Sequence, residues 1–259
     1  MKSNSQGCLK KVLITAIAVG SIMGGVGSGY ADTDGTTGGK LHRLGAIHGN
    51  STTSFDLGNR KYSGSIWHGA AQAEWTQRWW QWWMSIPLGV SPTNDTEGAQ
   101  CGINQSEPVW FIGGPLFGTF TRSCTIPKGK AILSPIVDYI NDYPCRLDPA
   151  FKPAPGQTLE NFLITGVTPI IDGFTVHTAE LDGRTLHERR ITTDLFSFTG
   201  AADLVALDTC VTGSPQLGVS DGYFIFIEPL SVGQHTLHIH SELPGSSPSD
   251  GTYNLTITE

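Results

Sequence analysis

Apolar residues recur along this chain with two different periods, and the change from one to the other falls near Pro87. Residues 69–86 read GAAQAEWTQRWWQWWMSI. At about 100° per residue, Trp75, Trp79, Trp82 and Ile86 share one stripe, while Glu74, Gln77, Gln81 and Ser85 gather on a polar arc with Arg78 at its border. The pattern predicts an amphipathic helix with a largely indole face, and Pro87 cannot continue it. Trp80 and Trp83 fall on one flank of the stripe. An exposed indole pair of that kind is a platform for a ring-shaped ligand, so these two are the candidate ligand-binding residues.

Beyond Pro87 the period is that of strands. β-rich runs at 109–113, 119–126, 131–140, 162–166, 175–181 and 185–191 are separated by Gly and Pro, with Asp182-Gly183 as a hairpin turn. Runs at 195–198 and 204–207 are weaker, and 223–227, 235–240 and 253–258 close the chain. Many short strands and one helix predict a mainly β fold. The expected architecture is a single β-sandwich over 65–259, jelly-roll or immunoglobulin-like, with the tryptophan helix packed across an edge or face.

The N-terminal part reads differently. Lys2, Lys10 and Lys11 precede an apolar stretch over 12–28, and Gly29-Tyr30-Ala31 supplies small residues for cleavage. Residues 1–31 are therefore expected to be a signal peptide, which implies export to the periplasm or beyond. Residues 32–64, rich in Gly, Thr, Ser and Asn, are expected to be a flexible leader. Removing 1–31 takes three lysines and no acid, so the net charge moves from −7 to −10. A surface of that sign repels phosphate backbones, which argues against nucleic acid as a partner. No later stretch is long and apolar enough to be a membrane span.

Four of the five cysteines, Cys101, Cys124, Cys145 and Cys210, follow the signal segment. An even number after a secretion signal reads as two disulfides, and Cys101–Cys124 with Cys145–Cys210 is the favoured one of the three pairings. Zinc is the rival reading, but no Cys-x-x-Cys is present.

Three further constellations could carry chemistry. In a strand, His238, His240 and Glu242 project from one face, a set that a divalent metal accepts; no other cofactor is expected. Asp138 and Asp142 lie near a strand end and are the candidate acid/base carboxylates, with solvated loop acids as the plainer reading. Gly218-Val219-Ser220-Asp221-Gly222 matches a nucleophile elbow in text, but no helix follows it, so a turn is expected there.

Several stretches resemble a family of uncharacterised bacterial secreted proteins. The matching text is EWTQRWWQWWMSIP (74–87), DTEGAQCGINQSEPVWFIGG (95–114), RSCTIPKGKAILSPI (122–136), LDGRTL (181–186), DGYFIFIEPLSVGQHTLHI (221–239) and YNLTI (253–257). The resemblance implies secretion and a cysteine pair at Cys101 and Cys124, and it supplies no catalytic residue. Three functional classes follow: an exported non-catalytic module binding glycan or other envelope material, a secreted hydrolase using the carboxylates or the metal set, and a surface-assembly protein.

Overall fold

A computed structural model describes residues 66–106, 108–115 and 118–259; the expected signal segment and leader lie outside them. The described chain opens with a two-residue hairpin, β1 (Ile66–Trp67) and β2 (Ala70–Ala71), which runs directly into helix α1 (Gln72–Ser85). α1 stops at the expected place, because Ile86 is already extended and Pro87 follows. Its less buried positions are Glu74, Gln77, Arg78, Gln81 and Ser85, the predicted polar arc. Arg78 reaches back one turn to Glu74 at 2.7 Å and lies over the Trp75 ring.

Three stripe indoles each find a backbone carbonyl, as a buried N–H must. Trp75 Nε1 donates to Trp67 O at 2.6 Å, Trp79 Nε1 to Ile112 O at 2.8 Å and Trp82 Nε1 to Ile103 O at 2.9 Å. Trp80 and Trp83 are not the exposed pair that the helical pattern predicts: they are 3% and 2% exposed. Two walls rather than one cover α1. One contains β8 (Arg189–Thr192) and β9 (Phe196–Thr199), and the other contains Gly113, where an added Cβ would lie 3.3 Å from Trp83.

Two five-stranded sheets form the sandwich. The first runs β3 (Val109–Phe111), β5 (Ala131–Tyr143), β10 (Pro215–Ile227), β8, with β9 also pairing β10. The second runs β4 (Gly118–Pro127), β12 (Ser249–Thr258), β11 (Gly233–Glu242), β6 (Val176–Leu181), β7 (Arg184–Thr185). The β3–β5 and β4–β12 pairs are parallel and the others antiparallel. Alternation sends Leu237 and Ile239 of β11 and Leu255 and Ile257 of β12 inward, where they meet Ile132, Ile225 and Ile227 of the first sheet. Each such side chain stabilises the fold by about 1.5–3 kcal/mol through burial.

The first sheet is covered elsewhere by helices. α1 packs over Leu133, Ile140 and Phe224. A second helix, α2 (Leu159–Asp172), seats Leu163, Val167 and Ile171 against Val137, Tyr139 and Val219. It replaces the strand expected at 162–166. The Thr158 hydroxyl accepts the Asn161 N–H at 3.2 Å to start it, and apolar residues four apart give it a buried face.

Two other local expectations are corrected. The weak run at 204–207 is a 3-10 turn, Ala202–Ala206, not a strand. Gly218-Val219-Ser220-Asp221-Gly222 is not a turn but the interior of β10, with Ser220 and Asp221 wholly buried. Asp221 takes Arg190 Nη2 at 2.7 Å and the Thr192 hydroxyl at 3.1 Å, so its charge is paired. Asp182 and Gly183, with φ of 51° and 73°, make the expected hairpin between β6 and β7. Both disulfides form as favoured, Cys101–Cys124 and Cys145–Cys210.

Candidate functional site

β3 pairs only with residues 131–133 of β5, so the remaining ten residues of β5 have no strand on that side among the described residues. The register of β5 against β10 also slips between Tyr223 and Phe224, which leaves Ile136 as a bulge. A cavity of about 80 Å³ opens along this free edge. Its walls come from Trp79, Trp80 and Trp83 of α1, from Tyr253 and Ser241 of the second sheet, and from Asp138 of β5.

Glycines make the cavity. Gly222 faces Asp138 across the strand pair, and a Cβ there would sit 2.5 Å from the Asp138 Cβ. Gly113 lets the segment after β3 approach the tryptophans, and Gly114 lies against the Tyr253 ring and the Arg122 guanidinium. Arg122 is 2% exposed, donates to the Gly113 carbonyl and pairs with Asp95 at 2.7 Å. Asp95 also takes the N–H groups of Gly98 and Gln100 at 2.9 and 2.8 Å. Desolvation pushes the Asp95 carboxyl up, but Gln100, Arg122 and Gly98 together outweigh it and hold it below its ordinary value. This pair braces the cavity from behind.

Asp138 is the one ionisable acid of the lining with a low ordinary pKa, and the lining contains no Lys, Arg, His or Cys. The residue is half-buried, and its Oδ2 is shielded from water with no hydrogen-bond partner. Burial alone raises its pKa well above the carboxylate range. Tyr139 is pushed up to about 12, first by burial and then by the charge of Asp138, and burial lifts Tyr253 to about 12. Trp80 Nε1, on another wall, is likewise buried and without a partner. The site therefore holds one unpaired acid and one unpaired donor inside an aromatic shell.

The structure does not bring the two predicted carboxylates together. Asp138 and Asp142 lie four residues apart on one extended strand, roughly 13 Å along it, too far to flank one bond. Neither is a solvated loop acid: Asp142 is 3% exposed and accepts from Gln216 Nε2. Asp142, Asp208 and Cys210 do place three ligand-type atoms within 4.8 Å of one another. Cys210 is bonded to Cys145, however, so no thiolate is offered there.

His238, His240 and Glu242 do share the solvent face of β11, and Asp250 of β12 joins them. His238 Nε2 lies 3.0 Å from Asp250 Oδ1, His240 Nδ1 2.8 Å from Asp250 Oδ2, and His240 Nε2 3.0 Å from Glu242 Oε1. A carboxylate oxygen thus faces each ring nitrogen of His240. Glu242 raises its pKa most, desolvation works against this, and Asp250 raises it further. These contacts tie the three predicted residues and Asp250 into one hydrogen-bonded ladder on the sheet surface. The pattern of alternate residues identified three of its members; Asp250 was missed because it lies across the strand pair.

Trp80 and Asp138 were both legible as candidates, whereas Gly222, Gly113 and Tyr253 were not. Among the described residues, no helix is long and apolar enough to cross a membrane. No family model matches the chain, and no curated protein matches it. Among solved structures, the solution structure of amebosin aligns over 56% of this chain and 100% of its own, at 13% identity and a TM-score of 0.18. A likeness of that size carries no argument about fold or function.

Proposed function

We propose that this chain is an exported binding module whose site is the tryptophan-walled cavity around Asp138. One observation carries the reading: Asp138 and Trp80, whose Oδ2 and Nε1 are both buried and unpartnered, line the same cavity. Leaving such a group unpaired costs about 1–3 kcal/mol, and a ligand that pairs it recovers that cost on binding. The enclosed volume of about 80 Å³ suits one compact group rather than a length of polymer, so envelope material would be gripped by a protruding end. The paired cysteines and the resemblance to secreted proteins support export.

Intrinsic tryptophan fluorescence reports the site directly, because three of the walls are indoles. A soluble fragment library should yield ligands that quench it, and Ser249→Phe, which fills the cavity, should abolish the effect. Ligands that bind Ser249→Phe and Asp138→Asn as well as they bind the native protein would place the site elsewhere. A raised carboxyl pKa also suits a general acid. Turnover in a hydrolase screen, lost in Asp138→Asn, would replace binding with catalysis.

A further inference from the structure

The cavity has a chemical sign. Its lining holds a carboxyl and no basic side chain, and its two phenols keep their protons up to about 12. The Arg122 guanidinium, on β4 behind Gly114, is paired with Asp95 at 2.7 Å, and that of Arg190 is paired with Asp172 and Asp221. Across the strand pair stands Gly222, with no side chain at all. The helix contributes indoles, and the second sheet contributes Ser241, Ser249 and Tyr253, none of them charged at neutral pH. Among the described residues, no element around Asp138 thus supplies a counter-ion. Aromatic rings add an environment that favours a cation over an anion or a neutral solute.

Resting on the binding reading above, we propose that the cavity takes a small organic cation: a primary or secondary ammonium compound about the size of one five-membered ring, whose N–H donates to the Asp138 carboxylate. The carboxylate and the ammonium then neutralise each other inside the aromatic shell. Size limits the ligand. About 80 Å³ is roughly half of the 150 Å³ apolar cavity that accommodates benzene in an engineered protein, so the cation head enters and any larger body stays outside.

Matched rings test this. Pyrrolidinium chloride carries the charge and the N–H; tetrahydrofuran has the same shape with neither; N,N-dimethylpyrrolidinium has the charge without the N–H. Calorimetric or fluorescence titration at pH 7 should show pyrrolidinium binding, with both analogues at least about 10-fold weaker. Losing one partner of a desolvated charge pair weakens binding by about 30-fold or more, so Asp138→Asn should lose pyrrolidinium to that extent. Asp138→Ala, as a second variant, should behave alike. Tetrahydrofuran binding as tightly as pyrrolidinium would overturn the cation while leaving the cavity as the site. Pyrrolidinium binding unchanged in both Asp138 variants, or absent from the native protein, would overturn it too. The fragment screen with Ser249→Phe separately decides whether the cavity binds anything.

Discussion

Asp138→Asn changes the charge of the cavity without adding or removing a heavy atom, and its effect on stability can be worked out in advance. In the unfolded chain Asp138 titrates near about 3.9. In the fold, burial holds its pKa well above that range. Between the two values the native state keeps a proton that the unfolded state has released, so native stability falls as pH rises through this window. The loss amounts to at most about 1.4 kcal/mol per pH unit. Asparagine has nothing to ionise and escapes it. The stability of Asp138→Asn relative to the native protein should therefore be constant below about pH 3.9, climb as pH rises, and level off at the native pKa of Asp138. For a domain of this length each 1 kcal/mol moves Tm by about 2–4 °C, within reach of thermal melts at half-unit pH steps. His235 and His240, raised, and Asp95, Asp182 and Asp250, lowered, titrate in both proteins and cancel in the difference. Parallel melting curves from pH 4 to 8 would refute the claim that Asp138 is an uncompensated buried acid.

Loop-closure entropy puts the loss from Cys101→Ser with Cys124→Ser, 23 residues apart, at about 3 kcal/mol in urea unfolding. The same argument gives about 4 kcal/mol for Cys145→Ser with Cys210→Ser, 65 residues apart. Asp95→Asn strands the Arg122 guanidinium in the interior and should cost about 3–5 kcal/mol by the same measurement; a loss under 1 kcal/mol would show that water reaches Arg122. His240 should titrate in NMR above the ordinary imidazole value, and Glu242→Gln or Asp250→Asn should bring it down. Its contribution to stability is present below the unfolded imidazole pKa and fades as pH rises through the raised one.

The parts of this fold that were legible in the sequence are those where one local rule acts alone. α1 was set by its tryptophan period and by Pro87, and its polar arc was read residue by residue. β4 and β11 of the second sheet show inward–outward alternation and were found to within two residues at each end, whereas β12 begins at Ser249, four residues before the expected 253. Where two rules compete, the reading failed. Residues 162–166, Phe-Leu-Ile-Thr-Gly, have strand-forming composition, but Leu163, Val167 and Ile171 repeat every four residues, and packing against Val137 and Val219 lets that period win. Gly218 and Gly222 resemble turn residues, yet each marks a close approach within β10: a Cβ at Gly218 would lie 3.0 Å from both Ile140 and Phe198.

The same conflict explains why the site was only half visible. A helical wheel assigns burial to one arc and exposure to the rest, so it set Trp80 and Trp83 outside. That arithmetic assumes a single covering surface. α1 lies between the first sheet and the Gly113 segment, so its flank indoles are as buried as the stripe. Two of the unpaired groups, Trp80 Nε1 and Asp138 Oδ2, belong to residues more than fifty positions apart in sequence, and those residues border one cavity because β3 ends early and leaves the β5 edge open. No window along the chain contains that coincidence. Buried polar groups without partners oppose stability, and of those in the described residues Asp138 Oδ2 and Trp80 Nε1 are the two whose residues border the cavity, beside the space where a ligand would sit.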